Sequence, residues 1–172
     1  MSRNNSVIKR EMETRRQELI KELWPSLDFR HVWHRKRSDG YTTIPRCMSY
    51  ILDMLNQLSS GNPLASTYLT LWCHVYDEGL VEIKSEQELA FESGFKGQRS
   101  VATWKGKMKI LKDLRFIEAE KGKYGDYNYV LIYNPFYIVK YHYKSGSGLI
   151  SKDSYLSLVE RAQVIKAKDL LD

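Results

Sequence analysis

Between Gly97 and Arg115 the sequence sets polar and cationic side chains against a regular apolar series. Val101, Trp104, Met108, Leu111 and Leu114 recur at three and four residues, the period of one helix face. Gln98, Arg99, Ser100, Thr103, Lys105, Gly106, Lys107, Lys109 and Lys112 fall off that seam. A guanidinium can make paired hydrogen bonds to guanine, a carboxamide to adenine, and ammonium groups neutralise phosphates. The chemistry is recognition of a polyanion with readable edges. Arg99 and Gln98 are placed as base readers, Ser100 and Thr103 as further base or phosphate contacts, and Lys105, Lys107 and Lys109 as clamps on the backbone. Gly106 would permit close approach, at about 1 kcal/mol relative to alanine in an isolated helix.

Two further basic clusters suit the same ligand. Lys121 and Lys123 flank Gly122 beside Tyr124, in a loop able to lie over a phosphate strand or minor groove. Arg35, Lys36 and Arg37 form a basic arm that could act elsewhere on the same polyanion. Net charge is +6 and is polarised along the chain. Residues 1–46 hold eleven basic against six acidic residues, 47–93 one against seven, 94–124 nine against three, and 125–172 six against five. The first and third segments would meet a polyanion, and the acidic second would face away or bind another protein.

Catalytic chemistry has no comparable support. His31, His34, His74 and His142 form no HxH or HExxH arrangement, no P-loop or GxGxxG occurs, and no Ser or Cys sits in a nucleophile-elbow context. No catalytic residue, metal site or cofactor is expected. Cys47 and Cys73 lie within apolar patterns, lack a CxxC partner, and read as buried thiols. No run is long and apolar enough for a membrane span and the first residues are not of signal-peptide type, so a cytoplasmic, nucleoid-associated protein is expected.

The elements that must position these groups follow from pattern. Ile8, Met12, Arg15, Leu19 and Leu23 stripe a helix over about 7–24, stopped by Pro25; residues 30–46 read as a connecting arm. Met48, Ile51, Leu52, Leu55 and Leu58 mark a second helix. Leu69, Trp72, Cys73 and Tyr76 mark a third, with Ser66 as N-cap and Gly79 just past its end. A short strand at 80–83 precedes a capping box, Ser85 to Glu88, opening a brief helix closed by Gly94 with Phe95 folding back. After the long helix 98–115, runs 116–120 and 127–133 form a hairpin around the six-residue loop 121–126. Tyr129, Leu131 and Tyr133 alternate with Val130 and Ile132, which favours core packing for the tyrosines over a base-stacking platform. Phe136–Tyr143 reads as extended, Ser145–Gly148 as a linker, and about 151–171 as a final amphipathic helix.

In order, residues 66–133 give helix, strand, short helix, tight turn, long basic helix, strand, basic loop and strand. This succession resembles the winged helix-turn-helix DNA-binding family over about two-fifths of the chain. Within it Ala90 resembles the small residue where the two helices approach, and Gly94 the turn glycine. Val101 arrives one residue later than the familiar spacing. The resemblance implies a predominantly helical α+β fold with extra N- and C-terminal helices. It divides the chain into 1–46, a winged domain 47–143, and a linker and helix 144–172. The implied activity is sequence-specific binding of double-stranded DNA: transcriptional regulation at an operator by a homodimer joined through the terminal helices. The chain is also similar to plasmid- and phage-borne replication and partition factors. An interaction module without DNA binding, using the acidic 47–93 segment or the terminal helices, is the alternative from another class.

Overall fold

Pro25 cannot donate a backbone N–H, and the first helix, α1 (Ser2–Leu23), ends just before it. The computed structural model describes residues 2–26 and 28–171, and its chain forms two compact units that meet in sequence at Tyr41 and Thr42. In the first unit, α1 is followed by a single 3-10 turn, Phe29–His31, and an irregular arm. Lys36 pairs with Glu13 at 3.6 Å, and the Arg35 Nε donates to the Tyr41 hydroxyl at 3.2 Å. The α1 stripe of Ile8, Met12, Leu19 and Leu23 is about half exposed along its length.

The second unit holds α2 (Met48–Leu58), α3 (Ala65–Cys73), β1 (Leu80–Glu82), α4 (Glu86–Glu92) and α5 (Ser100–Asp113). These are followed by β2 (Ile117–Gly122), β3 (Gly125–Ile132), α6 (Pro135–Lys144), α7 (Lys152–Ile165) and α8 (Lys168–Leu171). The fold is α+β, with eight α-helices and one antiparallel sheet of order β1-β3-β2 among the described residues. Its core centres on Tyr68, Trp104 and Phe116, with Phe116 edge-on to Tyr68 at 5.5 Å. No described helix is long and apolar enough to cross a membrane.

Local chemistry explains most boundaries. The Ser85 hydroxyl accepts from the Glu88 amide and opens α4; Gly94, at φ +91°, closes it while the Phe95 amide donates back to Ala90. The start of α3 is capped from outside: Asn56 Oδ1 accepts the Leu64 and Ala65 amides, so Ser66 is an exposed helical residue and not the N-cap. α3 also ends early, at Cys73. Tyr76 and Gly79 therefore belong to the turn into β1, where the Gly79 carbonyl accepts the Ile132 amide. That early end leaves Cys73 exposed, while Cys47 is buried as expected.

Three further segments differ from expectation. The hairpin strands run on to Gly122 and from Gly125, so its loop is Lys123-Tyr124 alone. On β3 the alternation holds with Val130 and Ile132 inside; Tyr129 and Leu131, and Tyr133 just past the strand, are exposed, so they do not pack the core. Phe136–Tyr143 is helical, because the Asn134 side chain caps the Phe136 amide and Pro135 at the first helical position presets the backbone. The C-terminal helix breaks at Lys166, which adopts φ +58°. α7 is no separate appendage: it packs on α2, burying Leu158 and Ala162, and Gln57 Oε1 accepts the Ser151 amide at 3.0 Å.

Candidate nucleic-acid interface

The seam of α5 is held by four buried residues, Ser100, Trp104, Met108 and Leu111. Trp104 is fully buried and meets Tyr127 of β3 edge-on at 5.6 Å. This locks the helix rotationally and decides which side chains face out. Gln98, Arg99, Ala102, Thr103, Gly106 and Lys109 are exposed, and Lys107 is half-buried at one flank. The helix begins at Ser100 with Arg99 as its N-cap residue, so Gln98 and Arg99 lie at the head of the helix and not within it.

Ser100 leaves the set of candidate contacts. It is buried and its hydroxyl accepts from the Gln87 side chain at 3.2 Å, which ties α4 to α5. Lys105 is diverted too: its ammonium lies 2.9 Å from Glu86 and 2.8 Å from Asp126. Asp126 and then Glu86 hold it above the ordinary lysine range, and Asp126 is held low in return, chiefly by Lys105. Lys109 pairs with Asp113 at 2.6 Å and Lys112 with Glu118 at 2.5 Å, each on the surface. Exposed pairs of this kind contribute about 0–1 kcal/mol and exchange readily for a phosphate. A lysine held by two carboxylates does so less readily, so Lys105 is a poorer candidate than Lys109 for a phosphate contact.

Glu86 organises the region and was missed in the sequence. Its carboxylate is 12% exposed and accepts the Asp126 amide at 3.0 Å and the Tyr127 amide at 3.4 Å while pairing with Lys105. One side chain thereby joins α4, α5 and the root of the hairpin. Gly125 is required there: at φ +149° a Cβ would collide with the Glu86 carboxylate. The inner strand is fixed by Asn128, buried, whose Nδ2 donates to Ile83 at 2.9 Å. Replacing Glu86 with alanine is expected to cost about 1–2 kcal/mol. Amide hydrogens across 122–127 should then exchange faster, read by hydrogen-exchange mass spectrometry, while those of α2 do not change.

At the hairpin tip Lys123 lies over the Tyr124 ring at 5.4 Å, and Lys121 stands 3.5 Å from Asp126. Tyr124 is exposed. In the first unit Arg35 is engaged with Tyr41, Lys36 with Glu13, and Arg37 is exposed. The second unit thus brings Thr103, Lys107 and Lys109 onto one helix with Gln98 and Arg99 at its head, and Lys121, Lys123 and Tyr124 onto the hairpin joined to it through Glu86 and Lys105. No group of His, Cys, Asp and Glu suited to a metal ion occurs among the described residues. Comparison of the chain with protein-family models, with curated proteins and with solved structures finds no match in any of the three.

Proposed function

We propose that this chain is a winged helix-turn-helix protein that binds double-stranded DNA in a sequence-dependent manner. In this reading α4 and α5 are the helix pair, α5 enters the major groove, and the β2–β3 hairpin is the wing. The observation that carries it lies at the head of α5. Gln98, Arg99 and Thr103 are exposed there, and their side chains have no hydrogen-bond or ion-pair partner among the described residues. The opposite face of the same helix is fixed in the core. Side chains that do nothing for the fold, held on a rigid helix and flanked by cations, are suited to base edges and phosphates.

The role that fits best is transcriptional regulation at an operator. The exposed apolar stripe of α1 supports a homodimer; α7, already packed on α2, gives no such support. Two-fold symmetry then calls for half-sites about one helical turn apart, or a multiple of it. A replication-initiation or partition factor would use the same helix, and genomic footprinting separates the roles. Single sites upstream of promoters support regulation, whereas repeated arrays support the alternative. The exposed Tyr129, Leu131 and Tyr133 face favours a second reading, a protein-binding module, which prevails if duplex DNA is not retained even at low salt. Lys107→Ala is expected to weaken specific and random duplexes alike and to reduce the salt slope by about 0.9, measured by fluorescence anisotropy.

A further inference from the structure

Tyr76, Asp77 and Glu78 stand on a turn whose backbone is held at both ends. The Tyr76 amide donates to the Leu80 carbonyl at 2.8 Å, the Gly79 amide to Tyr76 at 2.9 Å, and the Ile132 amide of β3 to Gly79 at 2.8 Å. All three side chains are exposed, Tyr76 by 60%, and none has a side-chain hydrogen bond, ion pair or ring contact among the described residues. They border a cavity of about 420 Å³ whose wall also includes Trp72 of α3, Tyr133, and Phe136 of α6. That volume falls within the roughly 300–1,000 Å³ that small-molecule sites occupy. The charge around it is one-sided: Asp77, Glu78 and Asp169 line the cavity, and no basic side chain does among the described residues.

Aromatic faces together with carboxylates attract a cation, and an apolar wall favours one that is weakly hydrated. The frame is preorganised, which lowers the cost of binding. Besides the fixed turn, Asn134 caps α6 through Oδ1 and donates through Nδ2 to Asp169 at 2.8 Å. Asp169 also borders a neighbouring groove lined by Arg46, Lys166 and Lys168, so the positive end of a ligand belongs with Asp77 and Glu78 instead. We propose that this cavity binds a small organic cation, a quaternary or protonated amine carrying an apolar group. Its charge lies beside Tyr76, Asp77 and Glu78, and its apolar body lies against Trp72 and Phe136. The site shares no residue with the candidate DNA-contacting face, so it stands or falls independently of DNA binding.

The probe is benzyltrimethylammonium, with benzyl alcohol and phenylacetate as neutral and anionic counterparts, titrated into the isotope-labelled full chain and followed by amide chemical shifts. The cation should move amides of residues 72–80 and 132–136, with a dissociation constant of about 1 mM or below. The two counterparts should bind at least about tenfold more weakly. Tyr76→Leu keeps apolar bulk and removes the ring, so it should weaken the cation about tenfold, while Tyr76→Phe should stay within about twofold. Asp77→Asn combined with Glu78→Gln should cost about fivefold and flatten the dependence on salt. Because all three residues are exposed, Tm should stay within about 2 °C in each variant. Equal affinity for the three probes, undiminished binding by Tyr76→Leu, or shifts that are absent from 72–80 would each overturn the proposal.

Discussion

Trp104→Ala should lower the unfolding free energy by about 3–5 kcal/mol, the cost of emptying a large buried aromatic site. The side chain is fully buried, on the α5 seam, and is in edge contact with Tyr127 of the hairpin. Its loss therefore opens a cavity and also frees the rotation of the helix that carries Arg99. Against a total of about 5–15 kcal/mol, this is enough to populate unfolded chains at working temperature. Urea denaturation is the measurement, with the midpoint shifted and the slope unchanged. The Trp104 indole N–H makes no hydrogen bond among the described residues, so Trp104→Phe, which keeps an aromatic ring in place, should recover most of the loss.

The second large effect belongs to the candidate interface. Arg99 is exposed and, among the described residues, makes no side-chain cap bond and no ion pair, so Arg99→Ala should leave stability within about 0.5 kcal/mol of the parent. On a duplex selected by the full chain from a random pool it should cost about 1–3 kcal/mol, the value of one bidentate contact to a base, and on random duplex far less. Specificity falls while non-specific affinity survives, the opposite of the Lys107→Ala pattern. Anisotropy titrations of both variants against both duplexes read this directly. Equal losses on the two duplexes would reassign Arg99 to the phosphate backbone.

The contrast between those two residues also shows what the chain discloses locally. The α5 seam is written in its period, and Ser85, Gly94 and Phe95 mark the ends of α4 through chemistry within a few residues. Ser100 reads from the sequence as an exposed contact and is buried instead; its place four residues before Trp104 is the signal that puts it on the seam. Lys105 was not legible. Its partners Glu86 and Asp126 lie nineteen residues before and twenty-one after it, and only the fold brings them together. The same holds for Asn56, which caps α3 from α2, in place of the nearer Ser66. In α6 two signals competed. Aromatic and β-branched residues suggested a strand, and the Asn134-Pro135 pair, a local helix-start signal, prevailed. The apolar side of α7 looked free in one dimension and is taken up by α2.

The proposed function requires that α5, with its joined hairpin, neutralise DNA phosphates. If Lys107, Lys109, Lys121 and Lys123 form the proposed clamp, with Lys105 held by Glu86 and Asp126, about four phosphates would be engaged. The most direct measurement is the affinity of the full chain for a duplex as salt is raised from about 50 to 200 mM. The expected result is a log–log slope near −3.6 and a loss of roughly a hundredfold. Affinity independent of salt, or no binding at about 50 mM, would contradict it.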